Sequence, residues 1–150
     1  MLVLGAGAVL VLGAGTARAV GGCVGARTFK ELEAWQAADG LRRDVIAMTA
    51  TGRASRDFKF VDQIRRAANS ACANIAEGFG RYQHKEFGQF VSIARGSLAE
   101  VQDHIVAGAA MGYWSAATAG RLDAEAAKAL RLTAGLLKHL HRTKAPSTST

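Results

Sequence analysis

Residues 28–49 read TFKELEAWQAADGLRRDVIAMT, and their apolar side chains fall at Leu32, Trp35, Ala38, Leu41, Val45 and Met48. Steps of three and four residues place these side chains on one stripe of a helix, because a turn takes about 3.6 residues. Thr28 followed by Glu31 predicts a capping box at the start, the threonine oxygen accepting from the first turn and the glutamate reaching back. Thr49-Ala50-Thr51-Gly52 supplies β-branched residues and a glycine to end the helix.

The same spacing recurs further along the chain. Val61, Ile64, Ala68, Ala71, Cys72 and Ile75 form a second stripe, with Ser55 or Asp57 as its cap and Gly78 and Gly80 as its stop. Its side chains are mostly small, so a neighbouring helix can come close and this segment is expected at the centre of the packing. Phe87, Phe90, Ala94, Leu98, Val101 and Ile105 form a third stripe, running from after Tyr82 to near Gly112. Leu122, Ala126, Leu130, Leu136 or Leu137, and Leu140 form a fourth. No two-residue alternation competes, and the breaks at 52–57 and 111–114 are short. Short connections make successive helices antiparallel neighbours. The expectation is an all-α, antiparallel up-and-down four-helix bundle over residues 28–144, followed by a disordered tail at 145–150.

At 150 residues the chain can bury a core without disulfide or metal staples. Its 49% hydrophobic and 21% charged residues exclude overall disorder. Cys23 and Cys72 sit in unlike contexts and make no disulfide framework; Cys72 is expected as a small core residue. Residues 1–27 form an apolar, Gly/Ala-rich leader. Ala17-Arg18-Ala19 and Val20-Gly21-Gly22-Cys23 mimic signal cleavage sites, but no Lys or Arg precedes Arg18. Glycines interrupt the leader too often for a membrane span. It reads as a start-site artefact, with Val20 or Val24 as the true start, or as a signal-like segment. The Gly5-Ala6-Gly7 and Gly13-Ala14-Gly15 pairs lack the third glycine, the helix frame and the later acid of a dinucleotide site. The expected location is cytoplasmic, with no membrane partner unless the leader is a true signal.

Nineteen Lys and Arg against 12 Asp and Glu give a net charge of +7, which draws the chain to polyanions. The candidate contacts are Arg42, Arg43, Arg65, Arg66, Arg95, Arg131, Lys138 and Arg142, with Lys144, His139 and His141 beside the last of them. Between Arg121 and Lys144 the only acids are Asp123 and Glu125. Such a surface can hold phosphates without reading sequence. Few aromatics interleave with it, so stacking on single-stranded bases has little support. The alternative is a basic face that is merely solvated.

Catalysis finds no residues. A di-iron bundle needs paired Glu-x-x-His motifs, and Glu100 is followed at that offset by Asp103, with His104 one place late. No Ser, His and acid are brought together locally, and nothing calls for a metal or a cofactor. Asn74, Glu77, Arg81 and Glu100 lie near the apolar stripes, where polar groups need partners. They are expected to form an internal network that sets bundle register, Arg81 reaching Glu77 or Glu100; a binding site is the alternative. Gly78 is expected to end its helix, and Gly96-Ser97 to permit close helix contact.

The blocks QIRRAANS at 63–70, NIAEGFGR at 74–81 and IARGSLAE at 93–100 carry a resemblance, together with Leu32, Trp35, Gln36 and the Leu137-Lys138-His139-Leu140 ending. They resemble the four-helix bundle family first described as products of intervening sequences within bacterial 23S ribosomal RNA genes. The resemblance spans residues 29–142; the leader and the tail have no counterpart in it. It implies a ring-shaped homopentamer. It also implies kinship with the accessory protein of diversity-generating retroelements, a basic bundle that binds nucleic acid and a reverse transcriptase. The expected partners are therefore another copy of the chain, RNA or DNA, and a reverse transcriptase or other protein. The expected role is that of a non-catalytic, homo-oligomeric, nucleic-acid-associated accessory protein, with a structural or protein-interaction scaffold as the alternative.

Overall fold

The four apolar stripes lie on four helices, α1 (Glu33–Thr49), α2 (Phe58–Phe79), α3 (His84–Ala110) and α4 (Ala116–Arg142). They are seen in a computed structural model that describes residues 3–4, 8–9 and 25–142. Short 3-10 turns at Phe29–Glu31 and Ala54–Arg56 precede α1 and α2. A two-residue antiparallel ladder pairs Val3 with Val9 and Leu4 with Ala8. The rest of the leader through residue 24, Cys23 among it, and residues 143–150, with Lys144 and the tail, lie outside the described residues.

Each helix packs against its chain neighbours, and α1 also packs on α4. Between α2 and α3 the contacts step in opposite directions: Gly78 meets Phe87, Ser70 meets Ser97, and Phe60 meets His104. These two helices therefore run antiparallel. The same holds for α3 and α4, where Gly88 lies beside His141 and Gln102 bonds Asp123. The core between the helices is built from the predicted stripes, with Leu41, Val45, Ile64, Ile75, Leu98, Val101, Ile105 and Leu122 all buried. Cys72 is buried among them, and burial pushes its thiol up to about 11, so it stays an unreactive thiol at neutral pH. Among the described residues no helix is long and apolar enough to cross a membrane.

The helix ends depart from the local motifs in instructive ways. The Thr28 side chain makes no cap bond, and Glu31 accepts from the Arg27 N–H at 2.9 Å instead of reaching back to Thr28. A 3-10 turn occupies this position, closed by Glu31 N–H to Thr28 O at 3.1 Å, and the buried, extended Leu32 leads into α1. At α2, Asp57 is the cap, its Oδ1 accepting from the Phe60 N–H at 3.0 Å; Ser55 instead donates to Gly52 O. Gly52 and Gly112 hold φ near +73°, a left-handed conformation that glycine adopts freely.

Of the two glycines predicted to stop α2, Gly80 caps the helix end as expected and Gly78 does not. Gly80 is right-handed at φ −74°, and Gly78 lies buried within α2. A Cβ at Gly78 would stand 2.6 Å from Phe87 Cδ2 and 2.8 Å from Phe90 Cβ. Gly78 is there so that α3 can approach. At the opposite end of the same helix pair, the Trp114 indole covers Gly108 and donates to Ile105 O at 3.0 Å. Phe60 packs there against Tyr113 and Trp114.

Candidate nucleic-acid interface

The amphipathicity of α4 is strict. Leu122, Ala126, Ala129, Thr133, Leu136 and Leu140 face the core at steps of three and four. The opposite stripe keeps the same steps through Arg121, Ala124, Lys128, Arg131, Gly135, Lys138 and Arg142, and every one of these positions is exposed. It carries no acid. Asp123 lies to one side, accepting from Gln102 of α3 at 2.8 Å, and Glu125 is half-buried. Arg121 is drawn to Asp44 of α1 at 3.1 Å. Lys128, Arg131, Lys138 and Arg142 make no ion pair among the described residues. From the first of them to the last runs about 21 Å, at about 1.5 Å per residue.

Arg95 of α3 belongs to the same side of the molecule. It sits midway between Gly88 and Gln102, seven residues from each, and both ends of that row touch α4. Arg95 is exposed and stands at the level of Arg131. Of the predicted basic contacts, the structure thus gathers Arg95, Arg131, Lys138 and Arg142, and it adds Lys128, which spacing along α4 alone would have placed on the stripe.

The remaining predicted contacts are engaged elsewhere. Arg42 and Arg43 both hold Asp39, whose side chain is almost wholly buried. Burial pushes the Asp39 carboxyl up, and the hydrogen bonds and charges of the two arginines more than offset it, holding it below the ordinary value. Arg42 also lies over the Trp35 ring at 6.0 Å. Arg65 donates from Nε to Thr49 Oγ1 at 2.8 Å and from a terminal nitrogen to Ile46 O at 3.2 Å. It therefore closes the C-terminal end of α1, whose last carbonyls lack helical donors. Arg66 pairs with Asp62 one turn back at 2.9 Å.

The expected polar network divides in two. Asn74 donates to Ser70 O at 2.8 Å and to Ser70 Oγ at 3.1 Å, and Ser70 Oγ meets Ser97 Oγ at 2.9 Å, which makes a short polar seam between α2 and α3. Glu77 and Arg81 form a separate exposed pair at 2.9 Å, and Arg81 lies over the Phe90 ring at 5.0 Å. Glu100 joins neither; it faces His104 one turn on, at 3.6 Å. Gly96 points to open space, where a Cβ would meet nothing within 4 Å, so the close helix contact belongs to Ser97. Sequence reasoning also missed Glu33, which is buried with no hydrogen-bond partner for either carboxylate oxygen among the described residues. Its charged type and its place beside Leu32 gave no signal of burial.

The assembled α3/α4 face is a row of cations without ion-pair partners among the described residues, set on a rigid helix and suited to holding a polyanion along its backbone. Over residues 30–135 the chain matches the family described as 23S rRNA-intervening sequence protein. No curated protein matches it.

Proposed function

The chain belongs to the 23S rRNA-intervening sequence protein family, and from that premise we propose that it is a non-catalytic, nucleic-acid-associated bundle that holds phosphates along α4. One observation carries this reading: the exposed stripe through Lys128, Arg131, Lys138 and Arg142 has no acid in it and, among the described residues, no ion pair to neutralise it. Most of the other candidate cations on the molecule are held by a carboxylate or a carbonyl of the chain itself. Contact with phosphate releases condensed counterions, so affinity falls as salt rises. The ligand is a nucleic-acid backbone met in the cytoplasm.

Titration of the full chain with a structured RNA and with duplex DNA across a salt series tests this. Salt-sensitive binding that collapses when Lys128, Arg131, Lys138 and Arg142 are together changed to Gln supports it. No binding even at low salt removes it. Self-association is a second reading, favoured by Ile93 and Val106, which α3 leaves 53% and 63% exposed on either side of the open Gly96. Mass in solution tests that reading.

A further inference from the structure

The connection from α2 to α3 is short, Gly80 to Gln83, and it presents Tyr82 fully to solvent, at 104% relative exposure. No other aromatic ring of the described residues is so open; Phe58 is next at 82%, at the far end of α2. A bare ring is costly to leave in water, and the charged residues nearest it along the chain are Arg81 and Lys85, with Glu77 and Glu86. Its neighbour Arg81 is fixed in place by Glu77 and by the Phe90 ring. Lys85 follows within one turn and is exposed. Gly88, one further turn into α3, sits against His141 Nε2 at 3.5 Å and Leu137 at 3.6 Å. The first turns of α3 and the last turns of α4 therefore share one end of the bundle. Lys138 and Arg142 of the basic stripe belong to those last turns of α4, so the stripe ends at the same end of the bundle as the Tyr82 connection.

We propose that Tyr82 is a base-stacking platform at the end of the α4 phosphate track, so that the ligand is a nucleic-acid duplex with an unpaired nucleotide beside it. The step rests on the reading of α4 as a phosphate-holding face. Phosphates of the paired region lie along Lys128, Arg131, Lys138 and Arg142, and the first base freed from pairing lies on the phenol ring. A duplex interior offers Tyr82 nothing, because its bases are already stacked on one another. An unpaired base exposes a π-face, and stacking accepts any base, so the preference is for structure and not for sequence.

The test uses the full chain and two RNA probes, a blunt duplex and the same duplex with a short single-stranded extension, prepared with the extension at either end of the strand. The extended probe is expected to bind about ten-fold tighter, the effect of one stacked base. Tyr82→Ala should bring it down to the affinity of the blunt duplex while leaving blunt-duplex binding unchanged, and Tyr82→Phe should keep the preference. The Tyr82 side chain stands in solvent, so helicity and thermal midpoint should not move with either substitution. Equal binding of the extended and blunt probes, or a preference that survives Tyr82→Ala, overturns the role of Tyr82 and leaves the α4 track standing. Failure to bind either probe at low salt overturns both.

Discussion

Glu33 opens α1, where the positive end of the helix dipole favours a carboxylate, yet both its oxygens are shut away from water without a donor among the described residues. Desolvating a charged group without a hydrogen bond outweighs a dipole interaction worth about 0.3–1 kcal/mol. Glu33→Met keeps the straight side chain and removes the charge. It should stabilise the chain by about 1–2 kcal/mol, seen as a higher urea midpoint at unchanged slope. A midpoint that falls would mean that the carboxylate has a partner. The Asp57 and Tyr113 pair works the other way. The Tyr113 hydroxyl donates to Asp57 Oδ2 at 2.5 Å, holding the Asp57 carboxyl low, while that bond pushes the Tyr113 phenol up. A carboxyl depressed in the folded chain contributes stability above its unfolded value of about 4, lost as pH falls through the folded value. A phenol raised in the folded chain contributes below its unfolded value of about 10, lost as pH rises through the folded one. Tyr113→Phe should therefore cost stability most between those limits, and the two unfolding curves should converge towards both extremes of pH.

At the scale of helices, glycines with identical sequence appearance have opposite jobs. Gly78 of α2 sits against Phe87 and Phe90 of α3, Gly108 of α3 sits against the Trp114 ring, and neither neighbour can swing aside. The Phe90 contact is with Cβ, which no rotamer moves, and the indole is held by its bond to Ile105 O. Gly78→Ala should destabilise by about 1–3 kcal/mol through overpacking, in spite of a helix-propensity gain of about 1 kcal/mol. Gly135, exposed on α4 with nothing near it, has only the propensity term, so Gly135→Ala should stabilise by up to about 1 kcal/mol. Thermal unfolding of the two variants beside the parent reads the signs directly. Two shifts of the same sign would show that close approach plays no part at Gly78. The helices themselves were legible because each stripe repeats over several turns, and a repeat survives local exceptions. Some ends were legible too, Asp57 at the start of α2 among them, but the start of α1 was not, since Thr28 and Glu31 satisfy a capping pattern while the buried, extended Leu32 is what precedes α1. A helix start is settled by what the preceding residue packs against, and the motif has no access to that.

Across the whole molecule, the question is which of the many cations are free to act. Part of the answer is written in the chain, because Asp39 with Arg42 and Arg43, and Asp62 with Arg66, stand three or four residues apart, the distance at which helical side chains meet. The engagement of Arg65 with Thr49 is written nowhere locally, since it joins two helices through the tertiary fold. The total charge is therefore legible along the chain but its distribution is not, and only the folded chain separates Arg65 from Arg131. This separation has a measurable consequence. Arg131→Gln removes a solvent-facing cation from the track, so it should weaken RNA binding, reduce the log–log salt slope by about one, and leave thermal stability unchanged. Arg65→Gln removes donors to the end of α1, so it should lower the thermal midpoint, at a cost of about 1–3 kcal/mol, and leave the salt slope where it was. The two substitutions remove the same charge. If both shift the slope equally, long-range net charge governs binding and the α4 track has no special standing; if only Arg131→Gln shifts it, the ligand lies along α4.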